Sequence, residues 1–347
     1  MNRAHLIKNI LFWLSRKINY PLVSPEVIQI SLTYRCNLNC KMCSIVNLLP
    51  QEEELSTVQI FHIIDEAKAY GIKKVLFTGG EPLLRKDIYE LCRYADKNRL
   101  QSIVTTNGLL LDERTVDALI GAKAGHIHVS LDGLEKTNDF FRGEGVFKKI
   151  VKNIKRINCL KKKVSCFSIG IACTVMDNNI NELFDLVRFA DELGVDSINF
   201  QPLINDNANF MNKQLPEFWV KKENIDCLKQ EILKIEEYKP VHITVYEEPS
   251  LKLLVKYYQQ EVLERDWVCF GGFKTVFICY NRRQPLVYSC HGVCGNLNEI
   301  ALKKAWKSKA AWRLRLHSEK CKNFCLQSCY SRQESENLVK IIKSYGK

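Results

Sequence analysis

Between residues 27 and 203 the chain alternates short apolar runs rich in β-branched residues with amphipathic segments of helical length. Short apolar runs bounded by turn residues are typical of buried parallel strands, and apolar positions three and four apart are typical of the helices that cover them. Six such repeats predict an α/β fold, a partial (β/α)6 barrel whose active site lies where the strands end. The predicted strands are Val27–Thr33, Lys74–Thr78, Gln101–Thr105, His126–Leu131, Phe167–Val175 and Ser197–Leu203. The predicted helices are Thr57–Tyr70, Lys86–Asn98, Glu113–Ile120, Val146–Asn158 and Ile180–Leu193, several of them after caps such as Ser56 and Asp112.

The pattern changes after residue 205. Two helical stretches, Glu217–Tyr238 and Pro249–Glu264, lead into a cysteine-rich region with a hairpin-like run, Lys274–Ser289, that breaks at Asn281–Gln284. This region cannot be another βα unit, so we predict a small, loop-rich module that a metal orders. The predicted divisions are a basic extension (1–26), the barrel core (27–205), a helical connector (206–265), the cysteine-rich module (266–335) and a tail (336–347).

The first 25 residues contain no Asp or Glu, and their apolar positions predict a basic amphipathic helix. Such a helix either makes a peripheral contact with an anionic membrane through residues 1–20 or packs against the barrel bottom, and we favour packing. Its basic residues are Arg3, Lys8, Arg16 and Lys17.

Composition and charge narrow the class of protein. The hydrophobic fraction of 46% is enough for a core. The run Ile10–Leu14 is too short for a signal-peptide core, and no run approaches the ~20 apolar residues of a membrane-spanning helix, so we expect a cytoplasmic protein. The formal charge of +12 allows a nucleic-acid partner, but runs such as Lys161–Lys163 lack interleaved aromatic residues and favour a solvated surface.

Fifteen cysteines are many for a chain expected in a reducing compartment, where they indicate metal or redox chemistry rather than disulfides. Isolated cysteines are interpreted as small buried residues. The isolated ones are Cys92, Cys159, Cys166, Cys173 and Cys227, and the clustered ones are Cys36/Cys40/Cys43, Cys290/Cys294 and Cys321/Cys325/Cys329.

Cys36, Cys40 and Cys43 directly follow the first predicted strand. Three thiolates can hold three irons of a cubane and leave the fourth iron open, whereas structural zinc sites and closed clusters use four ligands. The alternative is a helix on which the three cysteines share one apolar face. Polar residues between them and the position at a strand end favour a loop.

Three further polar motifs end the next predicted strands. Glu81 lies in Thr78-Gly-Gly-Glu-Pro82, where the bare backbone would let a ligand approach and the carboxylate would suit an ammonium group. Asn107 and Ser130 lie in Thr105-Thr-Asn-Gly108 and Ser130-Leu-Asp-Gly133. Each motif alone is also explained by an ordinary turn or capped βα junction.

The segment Cys36-Asn-Leu-Asn-Cys-Lys-Met-Cys43 resembles the CxxxCxxC signature of the radical S-adenosylmethionine (SAM) superfamily, and the order of motifs agrees over roughly residues 27–203. The resemblance implies a TIM-like barrel core with a 4Fe–4S cluster on three catalytic cysteines. It also implies that SAM chelates the open iron and is cleaved by one electron to methionine and a 5′-deoxyadenosyl radical.

The resemblance also assigns contacts to SAM. Gly79-Gly80-Glu81-Pro82 resembles the GGEP motif that holds the SAM amino group, and Asn107 and Ser130 match polar positions of the family. Arg142 resembles an arginine that pairs with the SAM carboxylate, with a surface arginine as the alternative. Asn179 resembles a ribose-contacting position.

The C-terminal cysteines resemble the SPASM or twitch extension of the same superfamily, which implies at least one auxiliary iron–sulfur cluster. The usual glycine of the hairpin turn is absent, and the final CxxxCxxxC spacing differs from the standard pattern. A zinc site is therefore a rival interpretation. The implied ligands are Cys269, Cys290, Cys321, Cys325 and Cys329.

The resemblance implies an enzyme that abstracts hydrogen, with reduced flavodoxin or ferredoxin as electron donor, while the auxiliary cluster accepts an electron or helps to hold the substrate. A peptide or protein substrate is the first hypothesis, and a small molecule such as a sugar, cofactor or lipid precursor is the second. A non-catalytic iron–sulfur electron carrier is the alternative from another class, and it predicts no SAM binding.

Overall fold

The computed structural model describes residues 3–43, 45, 53–161, 167–204, 216–246, 250–263, 266–290, 292–321, 325–326, 338 and 341. Its strands form one sheet in the order β10-β9-β8-β1-β2-β3-β4-β5-β6-β7, in which β1 to β7 are parallel neighbours. The strands are β1 (Val27–Thr33), β2 (Lys74–Gly79), β3 (Gln101–Thr106), β4 (His126–Ser130), β5 (Ser168–Val175), β6 (Ser197–Pro202), β7 (Thr244–Tyr246), β8 (Thr275–Asn281), β9 (Gln284–Ser289) and β10 (Gly292–Asn296). The helices are α1 (Arg3–Lys17), α2 (Thr57–Tyr70), α3 (Ile88–Lys97), α4 (Glu113–Gly121), α5 (Glu135–Arg142), α6 (Val146–Lys161), α7 (Leu183–Leu193), α8 (Ile225–Glu237), α9 (Leu251–Tyr258), α10 (Leu302–Trp306) and α11 (Lys309–Glu319).

The predicted α/β core is confirmed, and local chemistry explains its helix ends. Ser56 caps α2 in a reciprocal pair with Gln59, and Gly71 ends that helix in the left-handed region at φ 94°. Asp112 caps α4 by accepting from the Thr115 backbone N–H. Fully buried and partly exposed residues alternate along β1, β2 and β4, as expected for strands with one helix-covered face.

Three elements differ from the sequence prediction. The hairpin β8–β9 forms where predicted, but β8 pairs in parallel with β1, with Val27 opposite Thr275, so it extends the core sheet. The short strand β7 pairs with β6. Helix α5 occupies a segment for which the sequence analysis predicted no helix. The proposed domain boundaries stay a prediction.

Helix α1 lies at the edge of the sheet where the parallel strands begin. Phe12 packs in a small apolar cluster with Phe270 and Phe273, which directly precede β8. The Arg16 Nε donates to the Cys269 carbonyl at 3.0 Å. The interpretation that this helix packs at the barrel bottom is therefore confirmed. Among the helices of the described residues, none is long and apolar enough to cross a membrane.

Candidate functional site

The first three clustered cysteines lie on the loop that follows β1, and all three side chains are partly exposed. The Cys43 N–H donates to the Cys40 carbonyl at 3.0 Å, and the Lys41 N–H donates to the Phe141 carbonyl at 2.9 Å. Burial raises the pKa of Cys40 to about 11, and the charges of Cys43 and Cys36 raise it as well. The loop therefore gathers three thiols at the mouth of the barrel and ties them to the end of α5.

The donor set fits an iron–sulfur cluster. Among the described residues, no three His, Cys, Asp or Glu side chains form a group that could hold a metal ion. Cys36 and Cys43 lie near enough to Cys40 for their charges to raise its pKa, and three thiolates can each bind a different iron of one cluster. A helix with a shared cysteine face is excluded here, because Cys36, Cys40 and Cys43 all lie outside helices.

The Gly79-Gly80 pair approaches the chain's own backbone. A Cβ at Gly79 would lie 2.1 Å from the Thr33 carbonyl oxygen, and one at Gly80 would lie 2.1 Å from the Arg35 carbonyl oxygen. Gly79 also has φ 132°, which side-chain-bearing residues rarely adopt. The two glycines thus let the end of β2 pack against the start of the cysteine loop. Pro82 begins a short 3₁₀ turn directly after them.

The Glu81 carboxylate is fully buried. One oxygen accepts from the Leu83 N–H at 3.0 Å and the Thr106 hydroxyl at 2.8 Å, and the other accepts from the Asn107 N–H at 2.8 Å. Burial raises the pKa of Glu81, although these hydrogen bonds lower it. The carboxylate links the ends of β2 and β3, and its contact with the SAM ammonium stays a prediction.

Asn107 connects Glu81 to the cysteine loop. Its side-chain Nδ2 donates to the Asn37 Oδ1 at 2.7 Å and lies 3.8 Å from the Cys36 Sγ. Its Oδ1 accepts from the Leu109 N–H at 3.0 Å. Asn107 therefore contacts a predicted iron ligand directly. The sequence had indicated only a polar position at the end of β3.

The Arg142 side chain is only 10% exposed, so the alternative of a surface arginine is wrong. Its guanidinium pairs with the fully buried Asp132, with Nη2 at 2.6 Å and Nε at 2.8 Å from the same carboxylate oxygen. The other Asp132 oxygen accepts from the Thr174 N–H at 2.9 Å. Burial lowers the pKa of Arg142, but Asp132 and the Cys40 thiol raise it to a net increase. Its pairing with the SAM carboxylate stays a prediction.

The Asn179 side chain binds the backbone of the protein. Its side chain is fully buried; the Nδ2 donates to the Asp132 and Thr174 carbonyls at 2.8 Å each, and the Oδ1 accepts from the Met176 N–H. This amide joins the ends of β4 and β5, and its contact with the SAM ribose stays a prediction. Ser130 ends β4 with its side chain partly exposed.

Arg85 is a buried arginine that the sequence analysis did not single out, and it contacts the end of β1 just before the cysteine loop. Arg85 donates to the Leu32 carbonyl at 3.2 Å and the Leu55 carbonyl at 2.8 Å. It also pairs with Asp87 at 2.6 Å and Glu54 at 3.4 Å. Burial raises the pKa of Asp87, but the hydrogen bonds from Arg85 and Thr57, together with the charge of Arg85, lower that pKa overall. The available signal was an arginine four residues after Glu81 of the Gly-Gly-Glu turn.

The C-terminal thiols form a second group. Burial raises the pKa of Cys269 to about 12, and the charges of Cys290 and Cys321 raise it too. A Cβ on Gly271 would lie 3.2 Å from the Cys269 Sγ and 3.5 Å from the Cys290 Cβ, so the glycine fits between the two cysteines. Cys325 is partly exposed, and Cys329 lies outside the described residues.

The two thiol groups lie at opposite edges of the sheet. Cys269 precedes β8 and Cys290 follows the antiparallel β9, so both lie where β1 begins, whereas Cys36 follows the end of β1. Seven residues of strand span about 20 Å. Cys269 and Cys290 therefore lie far from the barrel mouth, and the expectation that the auxiliary cluster accepts an electron or helps to hold the substrate stays a prediction.

Comparisons with known proteins agree with this geometry. Residues 30–190 match the radical SAM superfamily. Fe-coproporphyrin III synthase of Methanosarcina barkeri is 32% identical over 180 residues, which cover 51% of this chain and 44% of that protein. AdoMet-dependent heme synthase of the same organism is 28% identical over 319 residues, covering 87% of this chain and 88% of that protein. GTP 3′,8-cyclase of Listeria monocytogenes is 31% identical over 201 residues, covering 55% and 59%.

Solved structures share the fold at low identity. Streptococcus suis SuiB bound to S-adenosylmethionine has a TM-score of 0.67 and 18% identity, with 87% of this chain and 70% of that chain covered. The enzyme anSMEcpe with bound AdoMet has a TM-score of 0.59 and 16% identity, with 93% and 95% covered. The chain spans less than two thirds of Fe-coproporphyrin III synthase and of GTP 3′,8-cyclase, so these matches concern the core.

Proposed function

We propose that this protein is an enzyme that cleaves SAM reductively and abstracts a hydrogen atom from an organic substrate, because residues 30–190 match the radical SAM superfamily. The observation that carries the proposal is the loop after β1, which gathers three free, partly exposed thiols at the barrel mouth. Cys36, Cys40 and Cys43 would hold a 4Fe–4S cluster. A cluster bound there would supply the single electron that reductive cleavage of SAM requires, while these three side chains would hold three of its irons.

The chain's own residues hold the thiols and set the charge around them. Asn107 places an amide N–H toward the Cys36 Sγ, where it can stabilise a thiolate. The positive charge of Arg142 opposes the effect of burial on the pKa of Cys40 and so favours the thiolate that metal binding requires. Gly79 and Gly80 allow the neighbouring strand end to support the loop at close range.

For the substrate, we place a small molecule first and a peptide second. The alignment with AdoMet-dependent heme synthase covers most of both chains, whereas the likeness to SuiB supports the fold alone. The C-terminal thiols would bind at least one auxiliary iron–sulfur cluster, with zinc as the rival. Reduced flavodoxin or ferredoxin remains the proposed electron donor.

The test is anaerobic incubation of reconstituted protein with SAM and a chemical reductant. We expect 5′-deoxyadenosine from the wild type and none from the triple cysteine variant, in which Cys36, Cys40 and Cys43 are all changed to Ala. Cys159, an exposed cysteine outside both thiol groups, provides the control Cys159→Ala, which should keep full activity. Undiminished 5′-deoxyadenosine from the triple cysteine variant would overturn the proposal.

A further inference from the structure

Two segments without acidic residues meet at the edge of the sheet where β1 begins. Residues 1–25 contain no Asp or Glu, and neither do residues 300–318, which include α10 and most of α11. The Asn19 Nδ2 donates to the Trp312 carbonyl at 3.3 Å, and the Lys307 Nζ lies 4.9 Å from the Tyr20 ring centroid. Although nearly 300 residues separate them along the chain, the two segments form one surface to which they contribute only positive charge.

Helix α1 turns its aliphatic residues outward. Phe12 faces the protein and is buried, whereas Ile7, Leu14 and Ile18 are 56%, 36% and 55% exposed. Positions 7, 14 and 18 lie on one face of a helix, and the Ile18 N–H continues the helical pattern by donating to the Leu14 carbonyl at 3.0 Å. The packing of α1 against the protein therefore leaves a continuous aliphatic stripe uncovered.

Two aromatic residues and a leucine extend this stripe. Tyr20, Trp312 and Leu22 are each 43% exposed. Tyrosine and tryptophan with an apolar body and a polar tip are enriched at the level of lipid headgroups, next to lysine and arginine. We name the whole surface the basal face. Its apolar residues are Ile7, Leu14, Ile18, Tyr20, Leu22 and Trp312, and its exposed basic residues are Lys17, Lys309 and Arg313.

We propose that the basal face binds the surface of an anionic lipid bilayer, with α1 lying in the headgroup region and without crossing the membrane. Aliphatic side chains gain free energy by entering the acyl boundary while the surrounding lysines and arginines attract the anionic headgroups. A second copy of the chain fits less well, because two basal faces would bring like charges together. A nucleic acid fits less well because Ile7, Leu14 and Ile18 can neither pair with phosphates nor stack on bases.

The placement has a consequence for the candidate active site. The cysteine loop after β1 lies at the opposite edge of the sheet, so membrane binding through the basal face would leave the barrel mouth facing the aqueous phase. The basal face and the cysteine loop share no residue, and the proposal does not depend on the proposed function.

The test is sedimentation of the full-length, anaerobically reconstituted protein with phosphatidylcholine vesicles and with vesicles of equal parts phosphatidylcholine and phosphatidylglycerol. We expect binding to the anionic vesicles that weakens with added salt, because the attraction between exposed charges is screened. The double variant Leu14→Gln/Ile18→Gln should lower the vesicle partition coefficient by about tenfold or more. The exposed parts of Leu14 and Ile18 together equal about one whole aliphatic side chain, and burying that is worth at least the free energy of a tenfold change in an equilibrium constant.

The matched control is Val58→Gln/Val241→Gln, which removes two exposed aliphatic residues elsewhere and should bind vesicles like the wild type. Circular dichroism and iron content should be unchanged in both double variants, because all four side chains are exposed. Three results would overturn the proposal: no binding to anionic vesicles, equal binding by the variant and the wild type, or a role for Leu14 and Ile18 only in self-association or in binding a single-stranded oligonucleotide.

Discussion

Glu81 offers a sharp test, because the family resemblance and the geometry predict different results for the same substitution. The resemblance implies that the Glu81 carboxylate contacts the SAM ammonium, so Glu81→Gln should weaken SAM binding and leave the cluster in place. In the structure the carboxylate accepts three hydrogen bonds from the protein itself, two from backbone N–H groups and one from Thr106. The geometry therefore predicts that the substitution acts first on the fold.

The loss of stability expected for Glu81→Gln follows from the three groups that donate hydrogen bonds to the carboxylate. A glutamine oxygen can keep the Leu83 and Thr106 bonds, but its NH2 group then faces the Asn107 N–H, which is left buried without an acceptor. Such a group costs about 1–3 kcal/mol, which corresponds to a fall of a few degrees in the thermal midpoint. Asn107 also contacts Cys36 and Asn37, so its displacement should lower the iron retained after reconstitution.

The assay measures the thermal midpoint, iron per chain and SAM affinity of the same anaerobic samples. Glu182→Gln is the matched control, because the Glu182 carboxylate likewise accepts from a backbone N–H, that of Leu134 at 2.9 Å, and from a hydroxyl, that of Thr137 at 2.7 Å. The control should lose stability but keep its iron. If Glu81→Gln keeps a normal midpoint and normal iron but loses SAM affinity about tenfold, the carboxylate contacts SAM and our reasoning is refuted.

Three further predictions concern buried charge and the second thiol group. Arg142→Met leaves Asp132 buried without its partner and should cost about 3–5 kcal/mol in the free energy of unfolding; an unchanged denaturation midpoint would contradict this. Arg85→Met should destabilise the protein most near neutral pH. Because Arg85 lowers the pKa of Asp87, the stability it contributes is present above that carboxyl's ordinary pKa of 3.8 and is lost as pH falls, so urea unfolding should show the difference from wild type shrinking in acid. The triple cysteine variant should still bind iron through the C-terminal thiols, and metal analysis that finds zinc without iron would instead identify a zinc module.

The sequence predicts the core strands and most of its helices because their signals are local. The spacing of hydrophobic residues and capping residues such as Ser56 are found within or directly beside the helix or strand that they predict. The pairing of β8 with β1 joins residues nearly 250 positions apart, and no local pattern encodes it. The same non-local pairing places the C-terminal cysteines at the edge opposite the first cysteine loop. Sequence spacing identified both thiol groups but could not give their separation.

The residues that the motifs single out as SAM contacts lie directly behind the thiols. Glu81 reaches Cys36 through Asn107, and Asp132 reaches Cys40 through Arg142. Each route begins at a buried carboxylate at a strand end and leads to a different cysteine. Both routes hold the cysteine loop against the strand ends. The motif residues therefore support the loop that carries the predicted iron ligands, so a substitution at either carboxylate should change iron retention before it changes SAM binding.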